Sequence, residues 1–182
     1  MRVIAGQAKG RRLEGPPPGT RPFMDRNREA LFSSLGTAVH GAAVLDLFAG
    51  VGSLGLEALS RGAASATFVE WSLPAVTILR ENVSRVGLGG DVVSTDVFDF
   101  LAGASDMYDL AFVDPPYAMP LASVVEALEQ LVDHLNTNAV VVVHRRSGET
   151  PPTPGGLSLS WEREYGDAHV WRFVKIQEEA MA

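Results

Sequence analysis

Short apolar runs alternate with amphipathic segments through the middle of the chain. Helical periodicity covers two segments, one from Leu73 to Val86 and one from Leu121 to Leu135. The apolar runs have the nearly continuous hydrophobic character of parallel strands covered on both faces: Ala43–Phe48, Ala66–Val69, Val92–Val93, Leu110–Val113 and Ala139–Val143. This alternation predicts a doubly wound α/β sheet whose ligands lie beyond the carboxyl ends of the strands.

The two ends of the chain add smaller elements. Leu157–Tyr165, a turn at Gly166 and Asp167, and Val170–Lys175 predict an antiparallel hairpin that completes a mostly parallel, seven-stranded sheet. Before the first strand, the proline-rich stretch 15–19 separates a short N-terminal piece that we predict to be a small β-hairpin. We therefore predict an N-terminal extension over residues 1–20 and a main domain over residues 21–182.

Charge is distributed unevenly along the chain. The 182 residues are 46% hydrophobic, enough for a sizeable core, and carry a formal net charge of −7, which by itself argues against a nucleic-acid partner. The first 28 residues nevertheless carry +5, which leaves −12 for the rest. A solvated tail would also be basic, but this asymmetry favours an extension that contacts a polyanion and can be deleted without loss of the fold. Its basic residues are Arg2, Lys9, Arg11, Arg12, Arg21, Arg26 and Arg28.

Composition excludes several other classes of protein. Cysteine is absent, which rules out disulfides, thiolate zinc sites and a cysteine nucleophile. The chain shows no signal-peptide pattern and no apolar run long enough to cross a bilayer, so we expect a cytoplasmic protein. The four histidines are scattered without metal-site or triad spacing, and we expect them to be surface or structural residues.

A glycine-rich turn follows the first predicted strand. Gly50, Gly52 and Gly55 spell G-x-G-x-x-G, which lets the backbone turn tightly and lets a ligand approach the next helix. Glu70 ends the second predicted strand, where a carboxylate can accept hydrogen bonds from the ribose of a nucleoside. We assign Phe48, Gly50, Gly52 and Glu70 to a cofactor edge that suits NAD and S-adenosylmethionine equally well.

Two further features favour S-adenosylmethionine over NAD. Asp46 lies in the strand before the glycines, where a carboxylate would face the cationic methionine end of that cofactor. After the third strand, Asp96 can accept from an adenine amino group while Val97 and Phe98 pack on the ring, although an N-cap of the next helix is an equally simple role for Asp96. Trp71 lies either along the adenine or beneath the second helix.

The most specific pattern follows the fourth predicted strand. Asp114, Pro115, Pro116 and Tyr117 form a rigid turn in which two N–H donors are missing and carbonyls are left for a ligand. A base amino group is a poor nucleophile because its lone pair is delocalised into the ring. Accepting its two N–H bonds at a carboxylate and a proline carbonyl favours a tetrahedral nitrogen, and the tyrosine can stack on the base. The pattern predicts methylation of an exocyclic base nitrogen.

With these residues in view, the sequence resembles the class I methyltransferases that act on base amino groups, and among them the RsmD family. The resemblance covers nearly the whole chain, including Arg2–Gly6, Lys9–Arg11, Arg21–Phe32, Asp46–Gly52, Glu70, Asn82, Asp96 and Asp114–Tyr117. The chain departs from the family at Phe23 and Asn27, where threonine and valine are usual. The resemblance implies transfer of a methyl group from S-adenosylmethionine to N2 of one guanine in 16S ribosomal RNA, conventionally position 966, within the small ribosomal subunit, by an enzyme that we expect to be a monomer.

Three alternatives stay open at this stage. An adenine-N6 methyltransferase of DNA or RNA would use the same Asp-Pro-Pro-Tyr turn. An NAD-dependent oxidoreductase would share the glycine-rich turn but leave that second turn without a role. An RNA-binding module could keep the fold without activity. Arg145 and Arg146, which end the fifth predicted strand, either assist RNA binding or are solvated charges.

Overall fold

The computed structural model describes residues 1–16 and 25–176, and these residues form a sheet flanked by helices. The five α-helices are α1 (Asp25–Leu35), α2 (Ser53–Ser60), α3 (Leu73–Val86), α4 (Val97–Gly103) and α5 (Leu121–Leu131), with short 3₁₀ turns at Gly36–Val39 and Val132–His134. The seven strands are β1 (Ala43–Leu47), β2 (Ser65–Glu70), β3 (Asp91–Ser94), β4 (Tyr108–Val113), β5 (Leu135–Arg146), β6 (Leu157–Tyr165) and β7 (Ala168–Lys175).

The strand order is β3-β2-β1-β4-β5-β7-β6. Strands β1 to β5 run parallel, whereas β7 is antiparallel to both β5 and β6. This confirms the predicted doubly wound sheet with its antiparallel C-terminal hairpin. The chain order reverses between β1 and β4, so the carboxyl ends of these two strands border the crevice where such sheets bind ligands.

Alternating strand residues face two separate hydrophobic clusters. Val44 and Phe112 pack with Phe32, Leu56 and Leu79 on the side that carries α1, α2 and α3. Their neighbours in sequence pack on the opposite side, against α4 and α5: Leu45, Leu47, Ala111 and Val113. Because β1 and β4 are buried on both faces, their sequences are nearly continuous apolar runs rather than alternating ones.

The N-terminal extension is part of this core. Its two segments pair through an antiparallel bridge between Arg2 and Arg12, a shorter version of the predicted hairpin. Val3, Ala8 and Leu13 are buried in the same cluster as the residues of α1 to α3. Residues 1–16 therefore pack into the core of the main domain, and their deletion would expose apolar surface, which argues against the expectation that the fold survives it.

A buried carboxylate attaches the extension to α2. Glu57 is 1% exposed, and it accepts hydrogen bonds from the N–H groups of Ile4 (2.8 Å) and Ala5 (3.0 Å) and from Arg61 Nε (2.7 Å). Arg28 is 0% exposed; its Nη2 donates to the carbonyl of Arg2 at 2.6 Å and to Asp25 at 2.9 Å. The prediction that Arg28 contacts RNA is therefore wrong, because its guanidinium holds the extension to α1 from inside the protein.

One predicted helix is too long. The apolar stripe predicts a helix that continues to Leu135, but α5 ends at Leu131, and Leu135 opens β5, where it pairs with Tyr108. Leu135 is fully buried in the strand, as it would be on a helix, so its hydrophobicity alone cannot distinguish the two. Within residues 1–16 and 25–176, no helix has the length and apolar character needed to cross a membrane.

Candidate active site

The glycine-rich turn after β1 takes a backbone path that side chains disfavour. Phe48, Gly50 and Gly52 have positive φ angles of 59°, 56° and 82°. A Cβ on Gly52 would lie 2.4 Å from a methyl of Leu79, whereas a Cβ on Gly50 would meet nothing within 4 Å. Gly52 is thus required by packing inside the protein, while Gly50 borders open space in which a ligand can approach the backbone.

Glu70 organises this turn from the end of β2. It is 7% exposed, and its two carboxylate oxygens accept hydrogen bonds from the N–H groups of Gly50 and Ser72, both at 2.8 Å. Each oxygen keeps a second lone pair for a ligand hydroxyl. Trp71, the next residue, is 68% exposed, so the alternative that placed it beneath the second helix is wrong.

Asp46 lies inside the protein behind the turn. Its carboxylate is 1% exposed and accepts a 2.9 Å hydrogen bond from the N–H of Gly55. Burial raises the pKa of Asp46 well above its ordinary value, and the negative charges of Asp114 and Glu70 raise that pKa further. Three carboxylates from β1, β2 and the end of β4 thus meet at one edge of the sheet, where a cation would offset their repulsion.

The residues that follow β3 differ in their exposure and in their contacts. Asp96 caps α4 by accepting a 2.8 Å hydrogen bond from the N–H of Phe98, so the capping role that the sequence left open is confirmed. Val97 is 2% exposed and packs in the core with α5. The prediction that its side chain packs on the adenine ring is therefore wrong. Asp96 is exposed and Phe98 is half-buried, so both remain accessible to a ligand.

The Asp-Pro-Pro-Tyr turn is held in place by β5. Arg145 is 2% exposed, and its guanidinium donates 2.9 Å hydrogen bonds to the carbonyls of Pro116 and Met119 and to the carboxylate of Glu149. Neither alternative for Arg145, RNA contact or solvated charge, is correct. The Pro116 carbonyl also accepts from the N–H of Met119 at 2.8 Å, so it is already engaged by two donors within the protein.

A histidine that spacing along the chain does not single out lies beside the Asp114 carboxylate. His144 Nδ1 is 2.6 Å from Asp114 Oδ1, and His144 Nε2 is 3.4 Å from Tyr117 Oη. Parallel pairing of Val113 with Val143 brings the next residue of each strand together. The available signal was that Asp114 and His144 each directly follow the apolar run of a neighbouring strand, and spacing along the chain could not reveal it.

Asn82 links the extension to the glycine-rich turn. It is fully buried on α3; its amide nitrogen donates to the carbonyls of Glu14 (3.1 Å) and Val51 (3.0 Å), and its oxygen accepts from the N–H of Glu14 at 2.8 Å. The sequence marked Asn82 only through the family resemblance. The structure gives it a physical role, because one side chain satisfies backbone groups from both segments.

The predicted RNA-contacting residues differ in their accessibility. Arg11 is partly engaged, because its guanidinium donates to the carbonyls of Val86 and Arg85 at the end of α3. Arg21 lies outside the described residues. The remaining cations are exposed on the extension and at the start of α1: Arg2, Lys9, Arg12 and Arg26.

The strand order and the acidic edge with its glycine-rich turn define a class I methyltransferase. A solved structure of a putative methyltransferase from Escherichia coli superposes with a TM-score of 0.84 at 36% identity, covering 96% of this chain and 97% of that one.

Sequence comparison gives the family. The family described as conserved hypothetical protein 95 matches residues 1–174. The chain is 39% identical over 171 residues to ribosomal RNA small subunit methyltransferase D of Escherichia coli strain K12, covering 91% of this chain and 85% of that protein. It is 34% identical over 176 residues to a putative rRNA methyltransferase of Bacillus subtilis, covering 91% and 94%. The chain belongs to this family, the RsmD family that its sequence resembles.

Proposed function

We propose that this protein transfers a methyl group from S-adenosylmethionine to the exocyclic N2 of a guanine in 16S ribosomal RNA, at conventional position 966, acting as a monomer in the cytoplasm. The observation that carries the proposal is the placement of Asp114 directly after β4, close enough to Asp46 and Glu70 for the three negative charges to act on one another. The small-subunit RNA substrate is supported by the names of the relatives.

The residues present fit S-adenosylmethionine. Buried Asp46 has a raised pKa and two acidic neighbours, so a cationic ligand would be stabilised beside it. Glu70 has lone pairs for ribose hydroxyls, Gly50 opens onto free space, and exposed Trp71 offers an apolar face for an adenine ring. When bound, S-adenosylmethionine supplies an electrophilic methyl group on a sulfonium.

Asp114 and Pro115 activate the target amine. One N–H of the base amino group would donate to the Asp114 carboxylate and the other to the Pro115 carbonyl, which draws the nitrogen towards a tetrahedral geometry and frees its lone pair. The same acceptors stabilise the positive charge that develops on the nitrogen. The N–C bond would form as the methyl–sulfur bond of the sulfonium breaks and leaves a neutral thioether. The nitrogen would give up one proton, which the Asp114 carboxylate can receive.

Tyr117 and the exposed cations would hold the RNA. The guanidinium of Arg146 lies 5.2 Å from the centre of the Tyr117 ring, so an aromatic ring and a cation stand together next to Asp114. A base drawn out of its helix can stack on such a ring. Arg2, Lys9, Arg12 and Arg26 would contact phosphates without reading sequence.

Methyl transfer from radiolabelled S-adenosylmethionine tests the proposal. Small ribosomal subunits that lack their native methylations are incubated with the protein, and the RNA is digested to nucleosides. We expect label in N2-methylguanosine and none in DNA offered as competitor. Label in N6-methyladenosine would support methylation of a base amine but show that the target base is adenine. An absence of label in any nucleoside would refute the proposed function.

A further inference from the structure

We infer that His144 is a positioning residue for methyl transfer: it fixes the rotamer of Asp114 so that one defined carboxylate oxygen faces the target amine. The inference rests on the proposed function. It starts from the chain of polar contacts that joins Asp114 Oδ1, the His144 ring and Tyr117 Oη across 2.6 Å and 3.4 Å. His144 is 8% exposed, so little water competes for these contacts.

The carboxylate determines the direction of one of these hydrogen bonds. A carboxylate only accepts, so His144 Nδ1 carries the hydrogen that is donated to Asp114 Oδ1. The Tyr117 hydroxyl, which can donate or accept, lies 3.4 Å from the other ring nitrogen, Nε2. His144 therefore fixes the orientation of the Asp114 carboxylate and draws the Tyr117 hydroxyl towards the same ring.

This arrangement engages Oδ1 of Asp114 and leaves Oδ2 without a contact to His144, so Oδ2 is the oxygen that we assign to the base amine. Without His144, a side chain that is 32% exposed would exchange between rotamers, and only some of them would present an oxygen beside the Pro115 carbonyl. A misplacement of about 1 Å in a reacting group can lower a rate on the order of 10²-fold. His144 thus acts on the rate of the chemical step rather than on the binding of either substrate.

The neighbouring arginine has a different task. Arg145 holds the carbonyls of Pro116 and Met119, which fixes the backbone of the turn, whereas His144 holds the side chain of Asp114. Adjacent residues of β5 point to opposite faces of the sheet, so the end of this one strand supports the turn in two ways.

Two amide substitutions separate the contacts of the histidine ring. The amide nitrogen of asparagine occupies nearly the place of Nδ1, and that of glutamine nearly the place of Nε2. We expect His144→Asn to keep kcat within about fivefold of the unaltered protein, because the donor to Asp114 is retained. His144→Gln and His144→Leu should lower kcat by about 10- to 100-fold. His40→Gln, an exposed histidine on another element, is the control and should leave kcat unchanged.

The measurements are kcat and KM with small ribosomal subunits, and the calorimetric affinity for S-adenosylmethionine. We expect the loss in kcat with KM and cofactor affinity nearly unchanged, and retained affinity shows that each variant is folded. Normal kcat in His144→Leu, equal losses in all three variants, or rescue by glutamine instead of asparagine would each overturn the role of His144. Absence of methyl transfer by the unaltered protein would instead overturn the proposed function, and the inference with it.

Discussion

The N–H of Gly50 donates a 2.8 Å hydrogen bond to the Glu70 carboxylate, so the turn after β1 and the end of β2 hold each other in place. We expect Glu70→Ala to weaken binding of S-adenosylmethionine by about 1.5–3 kcal/mol, a typical value for hydrogen bonds to a charged group. Calorimetric titration measures this loss. Glu81→Ala, an exposed change on α3, is the matched control, and equal affinity in both variants would remove Glu70 from the cofactor site.

Asp114 should matter for turnover more than for cofactor binding. We expect Asp114→Ala to lower kcat by at least roughly 10²-fold, because an acceptor that stabilises developing charge is lost. Affinity for S-adenosylmethionine should stay close to that of the unaltered protein. The exposed Asp133→Ala serves as control, and near-normal turnover in Asp114→Ala would contradict the proposed mechanism.

We expect the charge of Asp46 to lower the free energy of unfolding at neutral pH, although the same charge favours binding of a cation. Its pKa in the folded protein lies above the ordinary value, so the folded state holds this proton more tightly than the unfolded state does. Stability is therefore favoured below the ordinary pKa and falls as pH rises through the raised pKa. Asp46→Asn keeps an acceptor for Gly55 without this charge.

We accordingly expect Asp46→Asn to raise the thermal midpoint at pH 7 by at least about 2 °C, on the order of 1 kcal/mol, while weakening the affinity for S-adenosylmethionine. The gain should disappear in acid, where Asp46 itself is protonated. Thermal unfolding across pH and calorimetry at pH 7 provide the two readings. A variant that is less stable at pH 7 would show that the carboxylate is compensated in the free protein.

Alanine substitutions at two glycines with similar backbone conformations distinguish backbone strain from a loss of cofactor binding. Gly50 and Gly41 have φ angles of 56° and 75°, and a Cβ on either would meet nothing within 4 Å. We expect Gly50→Ala and Gly41→Ala each to cost roughly 1–2 kcal/mol of unfolding free energy, the cost of a left-handed alanine. Only Gly50→Ala should also weaken cofactor affinity. Equal affinity in the two variants would mean that the cofactor does not approach Gly50.

Charge reversal on the extension should weaken RNA binding without affecting the fold. Arg12 is exposed, so we expect Arg12→Glu to leave the thermal midpoint unchanged and to reduce the salt slope of RNA affinity by about one unit, as for one lost phosphate contact. Arg80→Glu on α3 carries the same change of charge and serves as control. An identical salt slope in both variants would leave the extension without a specific RNA contact. Deletion of residues 1–16 is a poor test, because it would expose core around Val3 and Leu13.

Much of the fold could be predicted from the sequence because the main signals are local. A strand buried on both faces is an unbroken apolar run, and a helix on one face of a sheet is a stripe, as Leu73–Val86 shows. The glycine spacing, Glu70 and the Asp-Pro-Pro-Tyr turn are local as well, since each lies at the end of its strand or directly after it. Chain order along a doubly wound sheet then places all of them at one edge.

What the sequence could not determine is which polar side chains are paired with one another. Arg28 and Arg145 looked like available cations, yet both are buried in hydrogen bonds to segments far away in sequence. Spacing along the chain gives His144 no partner, whereas the register of β4 and β5 places it beside Asp114. Hydrophobic periodicity reports burial along one element, whereas the pairing of polar groups depends on distances between elements, and only the tertiary structure decides those.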